Sequence, residues 1–452
     1  MKKRLKMSPT QVVVLGFASV IFIGALLLTL PISSSMGIRT NFIDSLFTAT
    51  SAVCVTGLVV YDTGTYWSTF GQVIILMLIQ IGGLGIMTMS TMFALLLGRK
   101  ITLRERLLIQ ESLNQFDLEG LVRLTKYILI ATFFMESIGA LIYMTVFIPE
   151  FGLENGIWMG IFHGVSSFCN AGFDLMGKYT GEFSSFTAFV GNPIVNLNAM
   201  MLIIVGGLGF SVWTDMIQAF RHKSLARLSL HTKVVLTMTM GLILFGALFI
   251  YAAEITNQKT IANMPFHAKI LASLFHSVTP RTAGFNTLDM GALTMPSQFM
   301  TIILMFIGGS PGSTAGGVKT TTAGILLLTV LSVVKGREDT EIYEKRISKY
   351  LIYRALSVMM ISFSLVVFAT MVLSITENTS FLTVLFESTS AFGTVGLTMN
   401  YTPALTTLGR VIISVTMFAG RVGPLTLIIA FSQIASKYRS NLKYPEDRII
   451  VG

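Results

Sequence analysis

Leu46-Phe47-Thr48, followed six residues on by Cys54-Val55-Thr56-Gly57-Leu58, decides the fold because it comes back three more times. The counterparts are Ile161-Phe162-His163 with Cys169-Asn170-Ala171-Gly172-Phe173, Leu274-Phe275-His276 with Arg281-Thr282-Ala283-Gly284-Phe285, and Leu385-Phe386-Glu387 with Gly393-Thr394-Val395-Gly396-Leu397. The glycines lie 115, 112 and 112 residues apart, so one unit is repeated four times in tandem. Each glycine follows a short apolar, helix-like segment. Four such turns converging on one axis could replace the water shell of an alkali cation with backbone carbonyls, which is the pattern of a pore.

Composition gives the setting. Of the 452 residues 53% are hydrophobic and 12% charged, against roughly a quarter charged in soluble domains. The chain therefore belongs in a bilayer. Eight stretches are long enough to cross the hydrocarbon core, near 11–31, 71–97, 125–148, 193–217, 234–253, 298–333, 354–375 and 406–434. Between the members of each pair lies one glycine turn, preceded by a segment too short to span and too apolar for an exposed loop. These segments read as re-entrant pore helices. The expected fold is an all-α multi-pass membrane protein of four parallel span, pore helix, span units around one pseudo-fourfold pore.

Basic residues set the orientation. The N-terminal segment with Lys2, Lys3, Arg4 and Lys6 holds four, the segments near 99–126, 221–233 and 335–354 hold six, four and six, and the tail from Lys437 holds four, 24 of 32 in all. The positive-inside rule then puts both termini in the cytoplasm. The expected division is a cytoplasmic N-terminus 1–10, units 11–98, 125–220, 234–334 and 354–436, cytoplasmic loops 99–124, 221–233 and 335–353, and a cytoplasmic C-terminus 437–452. No clean cleavage site follows the first apolar run, so it reads as a retained helix. The formal charge of +10 is accounted for by topology and anionic lipid, and no nucleic-acid partner is expected. The loop carrying Arg99, Lys100, Arg104, Glu105, Arg106 and Glu111 mixes both signs. It reads as a solvated amphipathic helix, with a docking surface for a cytosolic partner as the alternative.

The residues around the glycines indicate the cargo. Val55, Thr56 and Gly57; Asn170, Ala171 and Gly172; Thr282, Ala283 and Gly284; and Thr394, Val395 and Gly396 are all uncharged, so carbonyls and hydroxyls would line the axis. Without a ring of carboxylates the pore suits a dehydrated monovalent cation, potassium, held at the four glycines. One key glycine per turn offers fewer matched coordination layers than a contiguous five-carbonyl filter, and weaker discrimination against sodium is expected. Cys54 and Cys169 sit at one offset before their glycines and read as small buried residues, not as a disulfide or a metal site. Arg281 is expected behind the third turn, donating to carbonyls or to a pore-helix end. Thr48, His163, His276 and Glu387 are expected to support the filter through hydrogen bonds.

Each second span carries a glycine-rich mark: Gly82-Gly83-Leu84-Gly85, Gly206-Gly207-Leu208-Gly209, the run Gly308, Gly309, Ser310, Pro311, Gly312, Ser313, Thr314, Ala315, Gly316, Gly317, and Ala419-Gly420-Arg421-Val422-Gly423-Pro424. The third is too rich in glycine to be a stable helix, at a cost of about 1 kcal/mol per glycine and about 3 for proline. It is expected to line the aqueous path as a gating loop, closed off by Lys319, with a permanent kink as the alternative. Arg421, inside an apolar span, should face the interior at the depth of that loop, as a second gate element or as a tie between helices. Glu136 in the third span is expected to pair with another helix, or else to couple transport to protons or sodium. Catalysis would need a paired acid and base or clustered ligands, which the sparse intramembrane acids do not supply, so no enzyme is expected.

On Thr50–Leu58, Asn170–Phe173, Thr279–Asn286, Gly393–Leu397, Gly308–Lys319 and Arg421 the chain resembles the Trk/Ktr/HKT superfamily of potassium transporters, most closely the bacterial Ktr membrane subunits (KtrB/KtrD-like). The resemblance implies potassium uptake across the bacterial cell membrane through one filter glycine per unit, and stimulation by sodium as an activator. It also implies a homodimer with one pore per subunit, and a cytosolic nucleotide-binding RCK ring (KtrA/KtrC-like) that takes ATP or ADP. No cofactor is expected on this chain itself. A sodium- or proton-coupled secondary transporter is the alternative, against which the parallel repeats argue.

Overall fold

The computed structural model describes residues 8–85, 88 and 121–431. The mixed-charge loop 99–124 lies outside the described residues except for its last four positions, and the tail beyond 431 lies wholly outside them. The first unit comprises α1 (Pro9–Leu28), α2 (Phe42–Cys54) and α3 (Thr69–Leu84). The second comprises α4 (Leu121–Phe151), α5 (Leu153–Phe168), α6 (Pro193–Leu208) and α7 (Phe210–Arg221). The third comprises α8 (Leu230–Glu254), α9 (Phe266–Val278), α10 (Met295–Phe306) and α11 (Thr320–Val334). A short hairpin of β1 (Glu341–Ile342) and β2 (Lys345–Arg346) leads to the fourth, α12 (Lys349–Thr376), α13 (Phe381–Gly393), α14 (Thr407–Val422) and α15 (Pro424–Phe431).

Local chemistry fixes where helices start. Ser8 closes a capping box with Gln11 ahead of Pro9, and Ser68, Asn192 and Thr406 cap α3, α6 and α14 through side-chain oxygens. The first helix of each unit is continuous and apolar enough to cross a membrane: Thr10–Leu28, Thr125–Phe151, Leu230–Glu254 and Lys349–Thr376. The short helices α2, α5, α9 and α13 pack against them. In every unit the repeated aromatic, Phe47, Phe162, Phe275 or Phe386, is at most 1% exposed. Burying that ring contributes about 1.5–3 kcal/mol and fixes the rotation of the half-helix about its axis.

The second spans differ from the expected single break. All four are interrupted: α3 stops at Gly85 (φ 82°), α6 and α7 meet at Gly209 (φ 98°) with a bend of 99°, α10 and α11 are separated by a loop, and α14 gives way to α15 at Gly423 (φ 91°). A left-handed glycine stops the i to i−4 ladder and frees the preceding carbonyls, so the marks on the first, second and fourth units are breaks as well. Just before them, Gly82, Gly206 and Gly420 lie so close to the carbonyl oxygens of Val53, Phe168 and Phe392 that a Cβ would collide. Each of those oxygens belongs to the residue four before a repeat glycine. Absent side chains thus let these three second spans touch the ends of their own pore helices.

Candidate functional site: a ring of four turns

The half-helices α2, α5, α9 and α13 all run into the glycine turns at their C-termini, directing the negative ends of four helix dipoles at one place, which favours a cation. In each turn the residue two before the glycine is left-handed, Val55 (φ 57°), Asn170 (59°), Thr282 (71°) and Thr394 (52°), and so is the glycine, at 88°, 70°, 80° and 90°. Thr56, Ala171, Ala283 and Val395 between them keep negative φ. A backbone of alternating hand can turn successive carbonyls to one side. Three of the four non-glycine residues in this conformation are β-branched, for which it costs about 1–2 kcal/mol each, so strain is concentrated in the turns.

The turns close on one another. A Cβ built on Gly57 would lie 2.5 Å from the Ala171 oxygen, one on Gly172 2.7 Å from the Ala283 oxygen, one on Gly284 against the Val395 oxygen and one on Gly396 against the Thr56 oxygen. First meets second, second third, third fourth, and fourth first. This is a cyclic arrangement in which each glycine leaves room for the next turn's carbonyl, and all twelve turn residues named from the sequence lie in it. Thr56 and Thr394, both fully buried at the fourth-to-first junction, have hydroxyl oxygens without a hydrogen-bond partner.

A set of hydroxyls that the sequence reading passed over holds the ring. Ser51 and Ser390 accept from the Gly57 and Gly396 amides at 3.0 and 3.1 Å. Ser166 and Thr279 donate to the Phe173 and Phe285 carbonyls at 2.7 and 2.5 Å. The signal was present as a hydroxyl six residues before three of the glycines and five before the third. In that turn the Ala283 amide bonds four residues back to Thr279, whereas Thr56, Ala171 and Val395 bond five back.

In three units the residue after the repeated Phe ties the pore helix to its surroundings. His163 bonds the Met159 carbonyl through Nδ1 (2.7 Å) and accepts from the Leu175 amide (3.4 Å), and His276 bonds the Thr301 hydroxyl (2.8 Å). Glu387 accepts from the Thr398 and Thr402 hydroxyls, whereas Thr48, contrary to expectation, donates one turn back to the Asp44 carbonyl of its own helix α2, where a hydroxyl in an apolar helix finds the nearest acceptor. Arg281 lies behind the third turn, 4% exposed, and donates to the Thr239 hydroxyl of α8 at 3.1 Å, not to a carbonyl. The Asp44–Arg410 ion pair, 2.5 Å, joins α2 to α14 across units, with Tyr61 donating to the second Asp44 oxygen. The sequence offered no register that would pair positions 366 residues apart.

Residues 308–317 form no helix and are braced from two sides. The Ser310 and Thr314 amides donate to the Gly207 and Gly206 carbonyls (2.9 and 3.3 Å), and the Phe210 amide donates to the Gly312 carbonyl (2.8 Å). The loop therefore occupies the break between α6 and α7. Gly316 lies against the Thr394 side chain, and the Gly308 amide bonds the Val318 carbonyl at 2.9 Å. Lys319 donates to Ala315 (2.7 Å) within the loop. Arg421 donates to the loop's Thr314 carbonyl and to the Gly82 and Gly83 carbonyls in the last turn of α3. Three units thus meet at Arg421. Among the described residues no group of three or more His, Cys, Asp or Glu could hold a metal ion, and Cys54 and Cys169 are buried and unpaired.

Comparison with known proteins fits this geometry. The family model described as TrkH, cation transport protein, matches residues 3–441. The chain is 43% identical to the Ktr system potassium uptake protein B of Bacillus subtilis, over 100% of this chain and 98% of that protein. It is also 43% identical to the potassium/sodium uptake protein NtpJ of Enterococcus hirae, over 100% and 99%. The crystal structure of the potassium transporter TrkH from Vibrio parahaemolyticus superposes with a TM-score of 0.71 at 16% identity, covering 96% of this chain and 87% of that one, and shares the fold of four parallel span, pore helix, span units. The chain therefore belongs to the TrkH family of cation transport proteins.

Proposed function

We propose that the chain takes up potassium across the cell membrane, with the four glycine turns as its selectivity filter and Gly57, Gly172, Gly284 and Gly396 holding the ion. The observation that carries this reading is the cyclic contact of each glycine with the next turn's carbonyl, at the convergence of four pore-helix C-termini. The names of the two 43%-identical relatives both include potassium, and that of NtpJ includes sodium as well. In this reading units 11–98, 125–220, 234–334 and 354–436 each contribute one turn, and the basic loops and both termini face the cytoplasm. Residues 308–317, Lys319 and Arg421 form the gate. Two cationic side chains bound to carbonyls in one narrow region oppose a passing cation and hold the loop in place. Sodium acts as an activator. The chain works as a homodimer with a cytosolic nucleotide-binding ring, a proposal motivated by the naming of the Bacillus subtilis relative as part of a Ktr system.

Rubidium uptake into liposomes holding the purified chain tests the reading. The expected outcome is saturable uptake, competed by potassium and proceeding without an imposed sodium or proton gradient. Uptake that appears only under such a gradient would overturn the channel-like pathway in favour of coupled transport.

A further inference from the structure

Glu136 stands at the middle of α4, a carboxyl at mid-membrane depth and 5% exposed. Its carboxylate oxygens accept from the Gln80 amide of α3, at 3.0 and 3.1 Å, and from the Cys169 thiol at 3.6 Å. Among the described residues no Lys, Arg or His bonds it. An unpaired carboxyl at this depth is costly to keep and marks a site.

A groove of about 540 Å³ leads to it, bounded by α3, α4 and α5. Its walls are Leu76, Met77, Phe133, Leu141, Met144 and Ile161; Gln80 and Glu136 lie at its floor, and the Ser137 hydroxyl, also in the lining, is bonded to the Phe133 carbonyl. Met77, Phe133 and Leu141 are 60%, 45% and 62% exposed, so the mouth opens sideways from the helix bundle, toward lipid. The volume falls in the range of small-molecule sites, which combine apolar walls with a few placed polar groups.

We propose that this groove is a lateral binding site for a hydrophobic amine that enters from the bilayer, its ammonium on Glu136 and its chain along the apolar wall. Charge complementarity selects the occupant: the groove supplies one carboxylate and no basic side chain, and apart from Gln80 and Ser137 its lining is hydrocarbon. A carboxylate has about four acceptor positions; Gln80 and Cys169 engage up to three of them, which leaves one for an N–H of the ammonium. The amine reaches the second turn of the ring from behind, because Cys169 precedes Asn170 and touches the same carboxyl. The site is separate from the ion path and does not depend on which cation is carried.

Thermal unfolding of the purified detergent-solubilised protein, titrated with decylamine and with decanol, tests it without reference to transport. Decylamine should raise the melting temperature in a saturable way, since a ligand that binds the folded state stabilises it by mass action, and decanol should not. In Glu136→Gln the apparent affinity for decylamine should fall at least about tenfold, the scale of one charge-assisted hydrogen bond. Leu141→Trp blocks the mouth, leaves the carboxyl intact, and should weaken binding likewise. An equal shift with decanol would mean a neutral chain fills the groove, and an unaltered decylamine shift in either variant would place the amine elsewhere. Both results overturn the proposal.

Discussion

Gly284→Ser puts the ring to the most direct test. At φ 80° a serine backbone costs about 1–2 kcal/mol relative to glycine. Its Cβ would press on the Val395 carbonyl oxygen, closer than the 3.0 Å that real Cβ contacts essentially never undercut, and would stand 3.2 and 3.3 Å from the Gly172 and Gly396 Cα atoms. Because those neighbours are backbone, the carbonyl of the fourth turn has to swing away. A cation–carbonyl contact is charge-assisted and contributes about 1.5–3 kcal/mol. Losing one such contact for a dehydrated potassium ion, while a smaller cation with retained water is less affected, lowers the potassium-over-sodium preference by about tenfold or more. The assay is rubidium uptake into liposomes, competed by potassium and by sodium. Gly152→Ser is the control: it bears the same left-handed strain at φ 82°, but no atom lies within 4 Å of its Cβ. It should lose stability without altering selectivity. Wild-type preference in Gly284→Ser, or an equal loss in Gly152→Ser, would refute the assignment of the four turns to ion selection.

Other outcomes follow from the same contacts. Arg421→Gln, by releasing the Thr314, Gly82 and Gly83 carbonyls, should raise basal rubidium flux, as should deletion of a few residues within 310–316; lower flux in folded protein would make the loop a structural kink. Ser51→Ala and Ser390→Ala strand buried glycine amides, each costing about 1–3 kcal/mol; the expected readout is a lower melting temperature together with reduced potassium preference, and a change in neither would show the hydroxyls to be incidental. Arg410→Met leaves Asp44 buried with only the Tyr61 hydroxyl on its side chain and should destabilise the fold by about 3 kcal/mol. In Arg410→Met combined with Asp44→Asn much of that loss should return, measured by thermal unfolding; additive losses would deny the pairing.

The repeat register was legible because it is covalent. The offsets of Phe47, Phe162, Phe275 and Phe386 from their glycines, the segments too short to span, and the excess of small residues at four marks are all one-dimensional facts. They were sufficient for the span, half-helix, span unit and for the twelve turn residues. The supporting hydroxyls Ser51, Ser166, Thr279 and Ser390 were equally legible as matched offsets and went unread, because a serine in an apolar helix carries no signal until its acceptor is known. The breaks at Gly85, Gly209 and Gly423 were less so: a glycine in a helix can remain helical, and its left-handed φ is set by what packs beside it.

By itself the sequence determined that four like units cross a bilayer, and that each presents an uncharged glycine turn at the end of an apolar half-helix. Hydrophobic length and local backbone freedom depend on residues near one another in the chain. Only the tertiary structure decided that the turns close in cyclic order, that Arg421 joins three units through carbonyls at residues 82, 83 and 314, that Asp44 meets Arg410, and that Glu136 lies at the floor of an apolar groove. The physical reason is that these contacts join positions tens to hundreds of residues apart, and the bilayer enforces them. Where water is absent, a buried carbonyl or charge is costly without a partner, and that partner often lies on another helix.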